Sequence, residues 1–214
     1  RLRPLTEHTP KPLLEVGGRS LLERHLARLA EAGVRRVVIN LHHLGEQIRA
    51  RLGSDAGLGL ELCFSEEPEL LETAGGIHAA LPLLGDAPFL VISADVLTDH
   101  DPATLRPPAD DALAHLLLVP NPLWRRGGDF ALETGTAHTP GRLRSAADAP
   151  HTYAGVGVFR PEFFAGMRPG PLPLRPLLDA AVAEGRVTGE LHHGLWDDIG
   201  TPERLAAARA RAGA

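Results

Sequence analysis

The sequence predicts an α/β fold: a mixed, mostly parallel sheet flanked by helices. Three observations predict it. Apolar runs of strand length recur along the chain, at Val37-Val38-Ile39, Phe89-Leu90-Val91-Ile92 and Ala112 to Val119. Segments with helical start and stop signals separate several of these runs. Apart from His115, the runs are apolar along their length rather than alternating, as strands covered on both faces are.

The elements follow in order. Arg1 to Val16 reads as a loop, because Pro4, Pro10 and Pro12 interrupt regular structure. Ser20-Leu-Leu-Glu23 is a capping-box pattern opening a helix that carries Leu22, Leu26 and Leu29 and closes at Gly33. Val34 to Asn40 reads as a buried strand, Leu44 to Leu52 as a short helix ended by Gly53, and Leu58 to Ser65 as a strand. Thr73 to Leu84 begins with small residues and becomes helical. Pro88 to Ser93 is a strand running into Ala94-Asp95, and Ala112 to Val119 is another. Asn121 to Gly128 reads as a polar loop and Phe130 to Leu143 as a small hairpin. Tyr153 to Phe159 reads as a strand, Leu174 to Glu184 as a helix and Glu190 to Asp198 as a strand. Thr201 caps a closing helix with Pro202 at its first position. With no internal repeat or linker, residues 1–214 are expected to form a single domain.

Composition narrows the function classes. The net charge of −5 speaks against a nucleic-acid surface. No apolar run reaches the ~18 residues of a membrane span. A single cysteine, Cys63, excludes an internal disulfide and suits a reducing compartment, so the cytoplasm is the expected location. The expected assembly is a monomer or small homo-oligomer. Of 22 basic residues only Lys11 is lysine. Its compact ammonium acts on phosphate as a point charge, where a guanidinium is a planar fork.

Several groups of residues can carry chemistry. Arg1 and Lys11 stand on one proline-stiffened loop, which can hold two cations against a triphosphate at low entropic cost. Glu72-Thr73-Ala74-Gly75-Gly76 precedes a helix with small residues that admit a flat base near the backbone. Asp95 ends a buried strand, the edge at which open α/β sheets bind ligands, and a carboxylate there suits Mg²⁺. In Trp196-Asp197-Asp198, a strand places Trp196 and Asp198 on one face and Asp197 on the other. The pairs His42-His43 and His192-His193 lack a third ligand at metal spacing and do not read as zinc sites.

These residues together resemble the sugar-1-phosphate nucleotidyltransferases over nearly the whole chain. Arg1-Leu-Arg-Pro-Leu-Thr, followed by Pro10-Lys11-Pro12, resembles the family signature Thr-Arg-Leu-x-Pro-Leu-Thr then Pro-Lys-Pro, with Arg1 and Lys11 on its two cations. The resemblance implies a Rossmann-like nucleotidyltransferase fold. It also implies transfer of a nucleoside monophosphate from a nucleoside triphosphate to a sugar-1-phosphate, with release of pyrophosphate and dependence on Mg²⁺. It assigns Arg1 and Lys11 to the phosphates, and Glu72, Thr73, Gly75 and Gly76 to the nucleotide base. Asp95 and Asp198 become the metal ligands, Asp198 through the pattern Trp-x-Asp-x-Gly-Thr. Asp129, after Gly127-Gly128, and Gly155, in Tyr153-Ala-Gly-Val-Gly-Val-Phe159, fall on segments bordering the sugar.

The family signature opens upstream of the arginine, with a strand and a glycine-rich turn that cradles phosphate. The sequence begins at that arginine, so the domain is expected to be N-terminally incomplete. A chain truly beginning there is expected to be unstable and nearly inactive. Among subfamilies, Thr9-Pro-Lys-Pro-Leu13, Ala80 to Phe89, Gly128-Asp-Phe130 and Gly189-Glu190 resemble short members of peptidoglycan recycling. That implies UTP and N-acetylmuramic acid-1-phosphate as substrates. Guanylyl transfer to mannose- or heptose-1-phosphate and thymidylyl transfer to glucose-1-phosphate are the competing expectations. A non-catalytic nucleotide-sugar-binding regulatory subunit is the alternative from another class.

Overall fold

The computed structural model describes residues 2, 4–133 and 141–213. In chain order its elements begin with α1 (Leu5–His8), β1 (Glu15–Val16), β2 (Arg19–Ser20), α2 (Leu21–Glu31), β3 (Arg36–Leu41), α3 (Gly45–Leu52) and β4 (Glu61–Glu66). They continue with α4 (Glu72–Leu84), β5 (Phe89–Ile92), β6 (Val96–Thr98), β7 (Ala114–Pro120), β8 (Ala131–Leu132) and β9 (Gly141–Arg144). The last are β10 (His151–Phe159), α5 (Leu174–Ala183), β11 (Val187–Leu191), β12 (Trp196–Asp198) and α6 (Pro202–Ala212). The chain forms two compact units, one of Arg1–Leu70, Ala94–Thr104 and Leu195–Ala214, the other of Leu71–Ser93 and Leu105–Gly194.

In the first unit, β3, α3 and β4 make a parallel strand–helix–strand unit, with Arg36 opposite Glu61 and Leu41 opposite Glu66. α2 lays Leu22 and Leu26 into one apolar cluster with Ile39, Leu41, Ile48, Leu52 and Leu60. Its start is the capping box read from the sequence. The Ser20 N–H donates to Glu23 Oε2 at 2.9 Å, and the Glu23 N–H donates to Ser20 Oγ at 3.2 Å. A second cluster joins segments far apart in sequence: Leu2, Leu14, Val16 and Leu21 pack with Ile199, Leu205 and Ala208. β6 and β12 pair antiparallel, Val96 opposite Asp198 and Thr98 opposite Trp196.

The second unit is built on a six-stranded mixed sheet in the order β5-β10-β7-β11-β9-β8. β7 at its centre is fully apolar except for His115 and pairs parallel with β11 and antiparallel with β10. Leu116, Leu118, Phe130, Phe159 and Phe164 lie in the core beside Leu174, Leu178 and Val182 of α5. Phe159 meets Phe163 edge to face at 5.2 Å, an arrangement the ring quadrupoles favour.

The expected class holds, an α/β chain with mixed sheets and helices. Among the described residues the parallel ladders are β3–β4 and β7–β11; the others are antiparallel. Two expectations about elements are corrected. Arg1 to Val16 is not all loop: it contains the turn of helix α1, a 3₁₀ turn at Lys11–Leu13 and strand β1. Glu190 to Asp198 is not one strand. β11 ends at Leu191, and β12 begins at Trp196 in the other unit.

Candidate functional site

In the first unit, the 3₁₀ turn at Lys11–Leu13 carries Lys11, whose Nζ makes an ion pair with Asp95 Oδ2. Asp95 sits between β5 and β6, one residue before Val96. Val96 is opposite Asp198 in the β6–β12 ladder, and the Ile199 N–H donates to the Asp95 carbonyl at 2.9 Å. The two aspartates predicted to share a metal therefore stand on neighbouring segments. Their side chains are alike in exposure, 33% and 32%, so both reach solvent. Asp198 Oδ2 accepts from Arg204 Nη1 at 3.3 Å. Asp197, on the opposite face, pairs with Arg211 instead. Lys11 also lines a cleft of about 360 Å³ together with Asn40, His42, His43 and Gly200. His42 and His43 are held by the backbone carbonyls of Glu67 and Thr6, at 3.0 and 3.1 Å. Arg1 lies outside the described residues.

His25 of α2 was not singled out in the sequence. It is buried, and its Nε2 has no hydrogen-bond partner among the described residues. Burial pushes its pKa below the usual imidazole value, opposed by a backbone hydrogen bond with Val96 and by the charge of Asp95. Burial thus favours the neutral form of an imidazole that hydrogen-bonds to the backbone of the strand following Asp95.

The second unit holds the remaining predicted residues. Glu72 opens α4 with a φ of 59°, a left-handed conformation that costs a non-glycine residue ~1–2 kcal/mol. Glu72 and Thr73 are exposed, while Ala74, Gly75 and Gly76 are buried. The amides of Ala74 and Gly75 donate to the Leu172 carbonyl at 2.9 and 3.1 Å. A Cβ on Gly75 would collide with the Gly170 carbonyl and stand 3.1 Å from the Leu172 N. The smallness of Gly75 is thus used by the chain's own 170–172 segment.

Asp129 is 9% exposed, and both of its oxygens are engaged. Oδ1 accepts from Arg125 at 2.7 Å and Arg175 at 2.6 Å; Oδ2 accepts from Arg125 and from the Tyr153 N–H, both at 2.9 Å. The Arg175 guanidinium also lies over the Phe130 ring at 5.1 Å. Gly155, with φ 74°, marks an irregularity between Tyr153 and Gly157 where β10 shifts register against β7. Its carbonyl accepts from the Ser93 N–H at 2.7 Å.

In the first unit, a lysine paired with one carboxylate and a second carboxylate on the neighbouring segment form a cluster suited to handling phosphate. Residues 1–120 match the model of the family described as nucleotidyl transferase. The N-acetylmuramate alpha-1-phosphate uridylyltransferase of Neisseria meningitidis serogroup B is 45% identical over 220 residues, covering 100% of this chain and 94% of that protein. The protein of the same name from Caulobacter vibrioides is 35% identical over 224 residues, covering 99% and 91%. The crystal structure of HddC from Yersinia pseudotuberculosis superposes with a TM-score of 0.76 at 20% identity, over 99% of this chain and 93% of that one. The chain belongs to the nucleotidyl transferase family, whose members transfer a nucleotide to a sugar-1-phosphate.

Proposed function

We propose that the chain transfers UMP from UTP to N-acetylmuramate α-1-phosphate and releases pyrophosphate. The observation that carries this reading is the 45% identity to a relative of that name, running along 94% of the relative's length. We read the two units as parts of a single nucleotidyltransferase domain, because that similarity spans both of them.

The sugar phosphate is already an anionic nucleophile, so no strong general base is needed. The protein's work is positioning and charge neutralisation around the α-phosphorus. Lys11 is proposed to move its ammonium from Asp95 to the α-phosphate oxygens as negative charge grows there. Arg1 is assigned to the leaving β,γ-phosphates. The exposed Glu72 and Thr73 face the base, while Gly75 and Gly76 let the turn pack closely enough to hold them. The left-handed backbone of Glu72 supports this role, since such strain persists where surrounding structure over-determines it. Asp129, with its carboxylate fully engaged, is proposed to border the sugar by fixing the Gly128-Asp129-Phe130 loop. The irregularity at Gly155 shapes the neighbouring strand.

Asp95 and Asp198 are the proposed ligands of a divalent cation. Both offer hard oxygen from adjacent segments. No group of three or more His, Cys, Asp or Glu side chains stands together among the described residues. Such a donor set suits Mg²⁺, which completes its shell with phosphate oxygens and water. Bound there, the ion would polarise the α-phosphate and help neutralise the charge of both substrates.

The test is pyrophosphate release from purified protein over a matrix of UTP, GTP, dTTP and ATP against N-acetylmuramate, mannose, heptose and glucose 1-phosphates. We expect the largest kcat/KM for UTP with N-acetylmuramate α-1-phosphate. A larger value for any other pair overturns the substrate assignment. Nucleotide binding without turnover in every combination overturns the enzymatic reading.

A further inference from the structure

We propose that Arg204 is a positioning residue that orients the Asp198 carboxylate for divalent-cation binding; the inference rests on the reading of Asp198 as a metal ligand. Arg204 lies in the first turn of α6, where its backbone N–H donates to Thr201 Oγ1 at 3.3 Å. Its side chain folds back from the helix to Asp198. Nη1 engages Oδ2 at 3.3 Å, which leaves Oδ1 free of this contact. The arginine side chain is 18% exposed against 32% for the aspartate, so the cation is the more sheltered partner. That is the arrangement of a support behind a ligand.

The turn between the two residues is shaped for this contact. A Cβ on Gly200 would stand 2.5 Å from Arg204 Nη2 and 3.1 Å from Asp198 Oδ1, so glycine keeps open the space in which the two side chains meet. The Gly200 N–H donates to the Asp198 carbonyl at 2.8 Å, which tightens the same turn. α6 supplies a separate arginine, Arg211, to Asp197 on the other face of β12. Each adjacent aspartate thus has its own cation, and Arg204 serves the one predicted to hold the metal.

The sign of the effect separates orientation from charge. Removing a cation beside a metal site strengthens cation binding by Coulomb's law alone. Removing a group that orients a ligating carboxylate weakens metal affinity by ~10–100-fold. The experiment is Mn²⁺ titration of the full chain by calorimetry, with thermal unfolding of each variant as the check on folding. Arg204→Met keeps the apolar stem and removes the donors; we expect Mn²⁺ affinity to fall at least ~10-fold. Arg204→Lys keeps a donor of similar reach and is expected to restore most of that affinity even if the methionine variant folds poorly. Asp198→Asn is expected to lose more than either. If binding falls in Asp198→Asn but is unchanged or tighter in Arg204→Met, or if Arg204→Lys binds as poorly as Asp198→Asn, the inference is overturned while the metal reading stands. If Mn²⁺ binds undiminished to Asp198→Asn, or does not bind the unaltered chain, the metal reading fails and takes this inference with it.

Discussion

Lys11 and Asp95 stand 84 residues apart in sequence and share one ion pair. Both could be found from sequence, for different reasons. Lys11 is the one lysine among 22 basic residues, and Asp95 follows an apolar strand. Their partners could not. Arg204 sits in an arginine-rich helix that reads as a solvated face; only the Gly200 turn brings it onto Asp198. The clamp on Asp129 draws on Arg175, 46 residues away, and no local pattern announces it. Each member of the Lys11–Asp95 pair is about one-third exposed, so breaking the pair costs little stability. A group that neutralises charge in the transition state is a different matter. We expect Lys11→Ala and Asp95→Asn each to lower kcat by ~10²-fold or more, on the scale of losing one electrostatic stabiliser. Steady-state pyrophosphate release, with circular dichroism showing intact folding, checks this; near-normal rates in both variants would remove these residues from the mechanism.

The elements were most legible where short-range chemistry dictates them. α2 and α6 begin at Ser20 and Thr201 as read, because capping depends on residues within one turn. Pairing was less legible, because it is chosen by distant partners. α3 lies between β3 and β4, and those strands are parallel as a crossover requires. β10 instead enters antiparallel between β5 and β7, a choice its own sequence does not carry. The α2 capping box also has a consequence for acid stability. Hydrogen bonding from Arg51, helped by the Ser20 backbone and side chain and opposed by partial burial, holds the Glu23 carboxyl down at about 2 from its ordinary 4.5. A carboxyl lowered in the folded state contributes stability that is complete above 4.5 and lost as pH falls toward 2. Thermal unfolding at about pH 6 and about pH 3 should therefore show a smaller drop in Tm for Glu23→Gln than for the unaltered chain. Equal drops would show that the cap does not titrate in this way.

At the scale of the whole molecule, the chain passes between its two units four times, after Leu70, Ser93, Thr104 and Gly194. Neither unit is one continuous stretch of sequence. The first depends on residues beyond Gly194 for β12 and for Ile199 and Leu205, two core side chains that are each worth ~1.5–3 kcal/mol when fully buried. We expect a chain ending at Gly194 to lose amide hydrogen-exchange protection in β6 and the Leu14–Leu21 region, while β7, β10 and β11 keep theirs. Retained protection in β6 would show that the C-terminal segment is dispensable for that unit.

The same order of assembly applies during synthesis. All six strands of the larger sheet have been translated once Gly194 is added, but β12, Asp198 and α6 come later still. Lys11 and Asp95 leave the ribosome well before Gly194, yet they wait for the stretch beyond it before the second carboxylate joins them. A message broken between the codons for Gly194 and Asp198 therefore yields a nascent chain holding one aspartate of the pair and lacking the other.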